Sequence, residues 1–282
     1  MNDDPGNRDP APAFAEPAGA RTGDWIMATR SAQDDPRELL CRSPLFAGLP
    51  DGLLDAMLPQ FQRERCRKGL HLDPGMTRTR FFVILRGRME VTRSNPDTGK
   101  RIVLFLLGPG DGFDVITLLD GRRHDTESVV LDDMQLLSAP IDRVRKWIAS
   151  HPEFNQRFLP YLGRQFRAME TLASDLALHD TASRLARLIL RHTDPDRHTE
   201  RPHPPLPVRL ISDLSHESLA HMVGSVRQVV NRHLQGLRRE GIIDGRKGSL
   251  VVHDLEALKH QAGALLHRIE RGHAPPRPDP RR

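Results

Sequence analysis

One stretch of this 282-residue chain constrains its fold more than any other, residues 216–235. Two helices that cross closely need a small residue at the crossing, a glycine at the turn between them, and apolar residues spaced to lock one onto the other. Here Ala220 stands at the crossing, Gly224 at the turn, and Leu219, Val223, Val230 and Leu234 supply the lock. The second helix is expected to open at Ser225-Val226-Arg227-Gln228, with Ser225 as its cap and Gln228 as the capping-box partner. Val226, Val230, Leu234 and Leu237 then share one face, and Arg227, Asn231, Arg232, Gln235 and Arg238 share the other.

A polar helix face is usually only solvated. Two neighbouring features set this one apart. Between Arg227 and Lys247 there are six basic residues and two acidic ones, Glu240 and Asp244, an imbalance suited to phosphate. Residues 241–245 (Gly-Ile-Ile-Asp-Gly) end the helix, and Arg246-Lys247-Gly248 forms a basic turn entering an apolar strand at 250–252, which reads as a wing. A docked helix with an Arg, Gln and Asn face left free suits the major groove of duplex DNA, where Arg pairs with guanine and Gln or Asn with adenine. The candidate DNA-binding residues are therefore Ser225, Arg227, Gln228, Asn231, Arg232 and Lys247.

The remainder of the chain divides by pattern. Residues 1–36 are rich in Pro, Ala, Gly and Asp without apolar periodicity, and are expected to form a disordered extension with no secretory signal. Residues 66–140 read as short strands: 81–85 ending at Arg86-Gly87, 89–93 with a turn at 95–99, a buried-type apolar run at 102–107, a turn at 108–112, then 128–131 and 134–138. Strands at this spacing point to a small barrel or roll. Helices follow at 140–148 and from Pro152 to about 178, where Pro160 should kink the helix or delay its start. Leu162, Phe166, Met169, Ala173 and Leu176 recur at intervals of four and three, the seam of a helix paired with another helix. Residues 194–207, with five prolines and two histidines, interrupt regular structure. A last helix at 255–270, covering part of the roll or the wing, precedes a basic, Pro-rich tail.

The order of roll, long helix and winged helix-turn-helix resembles the cyclic-AMP receptor protein and fumarate–nitrate regulator (Crp/Fnr) family over about residues 44–253. Phe82-Val83-Ile84-Leu85-Arg86-Gly87 resembles its strand-plus-glycine motif, Leu107-Gly108-Pro109-Gly110-Asp111 the turn before its effector segment, and residues 223–232 its recognition motif. The resemblance implies an α+β chain. Its parts are the disordered extension (1–36), a double-stranded β-roll sensor of cyclic-nucleotide-binding type (37–140), dimerisation helices (141–178), a C-terminal winged helix-turn-helix (179–255) and a C-terminal helix and tail (256–282). It further implies a homodimer, a palindromic duplex-DNA site, RNA polymerase as a partner and gating by a small-molecule effector. Base contacts fall on Arg227, Gln228 and Arg232, with Gln228 replacing the family's Glu.

The effector segment departs from the family's pattern. Cyclic-nucleotide sensors use a Glu for the ribose hydroxyls and an Arg-Ser pair for the phosphate. Ungapped matching puts Val115 and Asp125-Thr126 at those positions, and Met169 and Glu170 at the adenine-contacting Thr and Ser. A carboxylate where a phosphate should sit is repulsive. The cofactor is thus unknown and cyclic AMP is not expected, although Arg122 or Arg123 could serve after a small slip of register. Candidate effector residues are Gly110, Asp111, Asp114, Arg122, Arg123, Thr126 and Met169. Haem is a second class, but Asp114 and Ile116 stand where the carbon-monoxide-sensing branch has its Cys and His, leaving only His71, His124 or His179. Cys41 and Cys66 are too few for a four-cysteine cluster and read as plain thiols.

Composition excludes several other classes. Hydrophobic residues make up 38%, yet no apolar run reaches the ~20 residues of a membrane span, so the cytoplasm is expected and no membrane partner. Net charge +5 and a pI near 9.7 permit nucleic-acid binding without proving it. No Walker loop, Gly-x-Ser-x-Gly elbow or His-Glu-x-x-His is present, so neither a catalytic nor a metal site is expected. The alternative reading is a haem- or nucleotide-sensing module that acts mainly through protein contacts.

Overall fold

The computed structural model describes residues 25–27, 35–73, 75–122, 125–193, 206–245 and 249–263. In the first half, period-two alternation builds two facing antiparallel sheets. One has the order β1(Trp25–Met27), β2(Gln62–Cys66), β8(Met134–Pro140), β3(Arg80–Arg86), β6(Gly112–Phe113). The other has the order β5(Arg101–Leu107), β4(Met89–Ser94), β7(Glu127–Val130). Phe82, Ile84, Met89, Val91, Leu107, Val130 and Leu136 meet between them, and this is the interior of a roll. The chain passes from β3 to β4 at Gly87, whose φ is +84°, a backbone that L side chains rarely adopt. A Cβ there would lie 2.9 Å from the Asp133 carbonyl oxygen, so the glycine of the strand motif serves both the turn and the close approach.

Helices cover the other face of the larger sheet. These are α1(Pro36–Arg42), capped by Asp35, α2(Asp51–Met57), α4(Ile141–Ser150) and the first turns of α5(Pro152–Leu178). Phe46, Trp147, Phe154, Phe158 and Tyr161 dominate this second core, with the Phe154 and Phe158 rings stacked at 5.6 Å. The short α3(Val115–Asp120) is capped by Asp114. At 27 residues α5 is about 40 Å long and carries the chain away from the roll.

The second half has its own core. Helices α6(Thr181–Arg191), α7(His216–Met222), α8(Arg227–Arg239) and α9(Leu255–Gln261) enclose it with a small sheet of order β10(Ile243–Asp244), β11(Val251–Val252), β9(Leu206–Pro207). At the end of α5, buried Asp175 accepts hydrogen bonds from Arg187 Nε and Arg191 Nη1, both at 2.5 Å, and so fixes α6 against the long helix.

Several expectations need correction. The extension was expected to lack structure through residue 36, but Trp25–Met27 pairs antiparallel with β2 and α1 starts at Pro36. The rest of residues 1–34 lies outside the described residues. Pro160 neither delays nor divides α5, which begins at Pro152 and runs continuously to Leu178. The polar strand β2 and the helices α1, α2 and α3 were not anticipated. The last helix packs chiefly on α6, with Leu258 in the second-half core. Its described part ends at Gln261, and the tail lies outside the described residues.

Candidate nucleic-acid interface

The helix-turn-helix forms as its residue pattern requires. Ser215 caps α7 through its hydroxyl, which accepts from Ser218 N at 3.0 Å. Ala220 is buried at the crossing. Gly224 takes φ +60° at the turn, and a Cβ on it would lie 2.7 Å from Leu176 Cδ2 of α5, so the turn is seated on the end of the long helix. Val230, Leu234 and Leu237 bury one face of α8. Arg227, Gln228, Arg232, Gln235 and Arg238 are exposed on the other, with Asn231 half-buried beside them.

The start of α8 differs from expectation. Ser225 does not cap it, because its N–H donates back to the Ala220 carbonyl at 2.9 Å and keeps the residue within the turn. The N-cap is Val226, with extended backbone and no side-chain capping bond. Val226 therefore lies outside the docked face and is 62% exposed, and Gln228 has no capping-box role. The wing strands are present as β10 and β11, while Arg246, Lys247 and Gly248 at its tip lie outside the described residues.

The two halves meet along β5. A bulge at Leu104, opposite the Val91–Thr92 step of β4, leaves Val103 and Leu106 on the outer face of the sheet, where α7 lies against the strand. Val103 is buried in the core of the second half, and Leu106 packs on it. Beneath this contact lies a cavity of about 240 Å³ lined by Val103 to Leu107 and Asp111 of the sensor, Gln165, Ala168, Thr171 and Leu172 of α5, Leu188, Arg191 and His192 at the end of α6, and Met222 of α7.

Of the candidate effector residues among those described, Asp111 alone lines this cavity. Its Oδ2 accepts from Gly108 N at 2.9 Å, its Oδ1 faces the Tyr161 hydroxyl at 3.5 Å, and burial raises its pKa. Gly110 sits under Ser43, whose hydroxyl donates to its carbonyl at 2.6 Å. Asp114 is committed to Thr117 of α3. Arg122 is exposed, Thr126 and Met169 are half-buried, and Arg123 and His124 lie outside the described residues. His71 bridges to Val129 through its backbone, and burial pushes the Cys66 thiol up to about 12. Among the described residues no three His, Cys, Asp or Glu side chains gather as metal ligands, and no helix is long and apolar enough to cross a membrane. The residues missed by pattern reasoning are those on the inner face of α5, with Arg191, His192 and Met222. The two-sided apolar character of residues 102–107 was the one signal that a second partner covers β5.

A roll of this type joined by a long helix to a winged helix-turn-helix defines a regulator built from a sensor and a DNA-binding domain. The sequence matches the cyclic nucleotide-binding domain over residues 71–151 and the Crp-like helix-turn-helix domain over residues 183–261. The global nitrogen regulator of Synechocystis sp. is 31% identical over 219 residues, covering 77% of this chain and 93% of that protein. The CRP-like cAMP-activated global transcriptional regulator of Mycobacterium tuberculosis is 27% identical over 229 residues, covering 80% and 99%. Among solved structures, a mutant of CooA from Carboxydothermus hydrogenoformans shares the fold with TM-score 0.61 at 23% identity, over 76% of this chain and 97% of that one. The chain belongs to the Crp/Fnr family of transcription regulators, a family of DNA-binding proteins and not of enzymes.

The cavity carries a pH prediction. Burial pushes His192 down to about 4, so the folded protein keeps it neutral, while the unfolded chain titrates near 6.5. Between those values the unfolded state binds the extra proton, and stability therefore rises with pH through that window and is lost on acidification. By about pH 5 the loss amounts to roughly 2 kcal/mol. Thermal melting across this range should be flatter for His192→Asn than for wild type, and an equally steep acid loss in the variant would assign it to another group.

Proposed function

We propose that this regulator binds a palindromic duplex as a homodimer, reading bases with Arg227, Gln228 and Arg232, supported by Ser225 and Asn231, with Lys247 on phosphate. The observation that carries this reading is the division of α8: its apolar face is consumed by the core, and its Arg and Gln side chains are exposed. Arg presents a fork matched to guanine and Gln an amide matched to adenine. A palindrome needs two copies, and α5 offers a surface for the second. Phe166 is 83% exposed and Leu159 62%, with Met169 half-buried on the same helix. Apolar groups of that size left in water favour an isologous partner. Only part of the expected seam is free for it, because Leu162 packs on the sensor core and Leu176 on Gly224. RNA polymerase is the partner expected of such a regulator once on its site.

The effector in this reading is not cyclic AMP. The M. tuberculosis relative is named for activation by cAMP and the Synechocystis relative for nitrogen regulation, so names alone do not choose. The residues do not fit the nucleotide. Val115 has no acceptor for a ribose hydroxyl. Asp125, at the phosphate position, is an exposed carboxylate 3.8 Å from Arg93 Nη2. The interdomain cavity presents the buried Asp111 carboxyl to any ligand, and its cation Arg191 is already bound to Asp175. An anion finds no free positive group there among its lining residues.

Three measurements test the parts separately. Arg227→Ala should lose about 1–3 kcal/mol of discrimination at one base pair per half-site, while Lys247→Ala weakens all sequences alike and flattens the salt slope by about one unit. A uniform loss for Arg227→Ala would remove it from base reading. Phe166→Asp should sediment as a monomer with reduced DNA affinity, since it buries a charge against its symmetry mate. A dimer in that variant sinks the α5 interface. Calorimetric titration with cyclic AMP should give no binding heat, and micromolar binding abolished by Arg122→Ala or Arg123→Ala would overturn the effector assignment.

A further inference from the structure

Among the described residues four helices build the second half of the molecule, and three of them begin on a side chain that accepts a hydrogen bond from the first turn. Asp180 accepts from Ser183 N at 2.8 Å, Ser215 from Ser218 N at 3.0 Å and Asp254 from Ala257 N at 2.8 Å. The fourth, α8, begins on Val226, which has no acceptor to offer. Valine is among the poorest residues for that position, whereas serine, threonine, asparagine or aspartate there stabilises a helix. Its backbone is extended, at φ −109° and ψ 150°, so its side chain leaves the face on which Val230 is fully buried. Val226 is the one large apolar side chain described in this half that is exposed. The fold thus gains neither a cap nor burial from it.

The neighbours of Val226 indicate what covers it. Arg227 and Gln228 follow directly and are exposed, and Arg232 is exposed further along the same helix. Cations gathered around an apolar group favour a polyanionic partner over a second apolar surface. That partner is the duplex that α8 reads in the proposal above, on which this inference rests. Residues at the N-terminal end of a recognition helix reach base edges. A valine side chain neither donates nor accepts a hydrogen bond, and the apolar group on the major-groove base edges is the C5-methyl of thymine. Against the cytosine amino group, or the acceptors of guanine, the same side chain strips water from polar atoms and returns no hydrogen bond. We infer that Val226 packs on the methyl group of one thymine in each half-site, and so fixes that base pair as part of the target. Successive helix residues rise about 1.5 Å while base pairs are spaced ~3.4 Å, so this thymine lies within about two base pairs of the one read by Arg227.

The test uses the full-length protein and two variants, Val226→Ser and Val226→Ile. The wild type selects duplexes from a random library, and affinities are read by fluorescence anisotropy. Each thymine of the selected half-site is replaced in turn by deoxyuridine, which removes the methyl group and keeps every hydrogen-bonding group of the base. At one position per half-site the replacement should weaken wild-type binding about fourfold, the effect of leaving one methyl-sized group in water, and roughly fifteenfold when both half-sites carry it. Val226→Ile should keep that discrimination. Val226→Ser should bind the thymine and deoxyuridine duplexes equally, and its own library selection should lose the thymine. Its thermal midpoint should stay at or above that of the wild type, because serine caps α8. Equal wild-type affinity for both duplexes at every thymine overturns the contact, as does a selected half-site without thymine. Discrimination of the same size in Val226→Ser assigns the methyl group to another residue and overturns it too. In each of these outcomes a duplex has been selected, so the DNA-binding reading stands. Failure of the wild type to select any duplex sinks that reading, and this inference with it.

Discussion

Strand β5 has no polar face, and the way the two halves of the molecule meet depends on that. Leu107 is buried inside the roll with Phe105 packed beside it, while Val103 is buried in the core of the DNA-binding domain with Leu106 packed on it. An edge strand normally turns one face to water and blunts its free edge with charge. Here the outward face is apolar for part of its length, and removing it from water requires a second body. At about 25 cal/mol per Å² of apolar surface, burying a valine and a leucine side chain contributes roughly 3–5 kcal/mol to holding the domains together. That is enough to favour a docked arrangement and small enough for a ligand or a duplex to compete with it.

The polar contacts around this apolar seam give it direction. Asp175 ties α6 to the end of α5 through two arginines, which fixes the DNA-binding domain where the long helix ends. Removing one partner of a buried ion pair is costly because it leaves uncompensated charge. The joint is therefore held firmly. Leu176 under Gly224 adds a second constraint at the same end, and the helix-turn-helix turn itself rests on α5. Arg88 of the sensor donates to the loop before α7, where Leu210 and Asp213 have positive φ.

Particular residues show what was legible from the chain alone. Ala220, Gly224 and the apolar spacing of Leu219, Val230 and Leu234 specify a helix-turn-helix because each has one steric role, and all of them took it. The strands of the roll were readable wherever alternation or an apolar run was clear, as in β3 and β4. Strand β2, Gln62-Arg63-Glu64-Arg65-Cys66, was not, because its stability comes from pairing with β8 and not from its own side chains. The capping role given to Ser225 failed for a related reason. A serine before a helix is a good cap only if the backbone leaves it extended, and the tight turn at Gly224 holds Ser225 one residue too early. The cavity was hidden because its walls come from four segments separated by up to about 120 positions, and no local pattern records their meeting.

The long helix α5 explains why the sensor's state can reach the DNA at all. Its first turns are part of the sensor core through Phe154, Phe158 and Tyr161, and its last turns anchor the DNA-binding domain through Asp175 and Leu176. Between them it exposes Phe166 and lines the cavity with Gln165, Ala168, Thr171 and Leu172. One rigid element thus carries three surfaces at different rotational positions: toward the roll, toward the cavity and toward solvent. A small rotation of α5 about its axis moves all three together. The Tyr161 hydroxyl joins α5 to the sensor beside the cavity, since it accepts from Gly112 N at 3.0 Å and lies 3.5 Å from Asp111 Oδ1. Asp111 and α5 are thus in contact through Tyr161. Coupling of this kind needs no chain of transmitted contacts along the helix, because a helix of 27 residues rotates as a body.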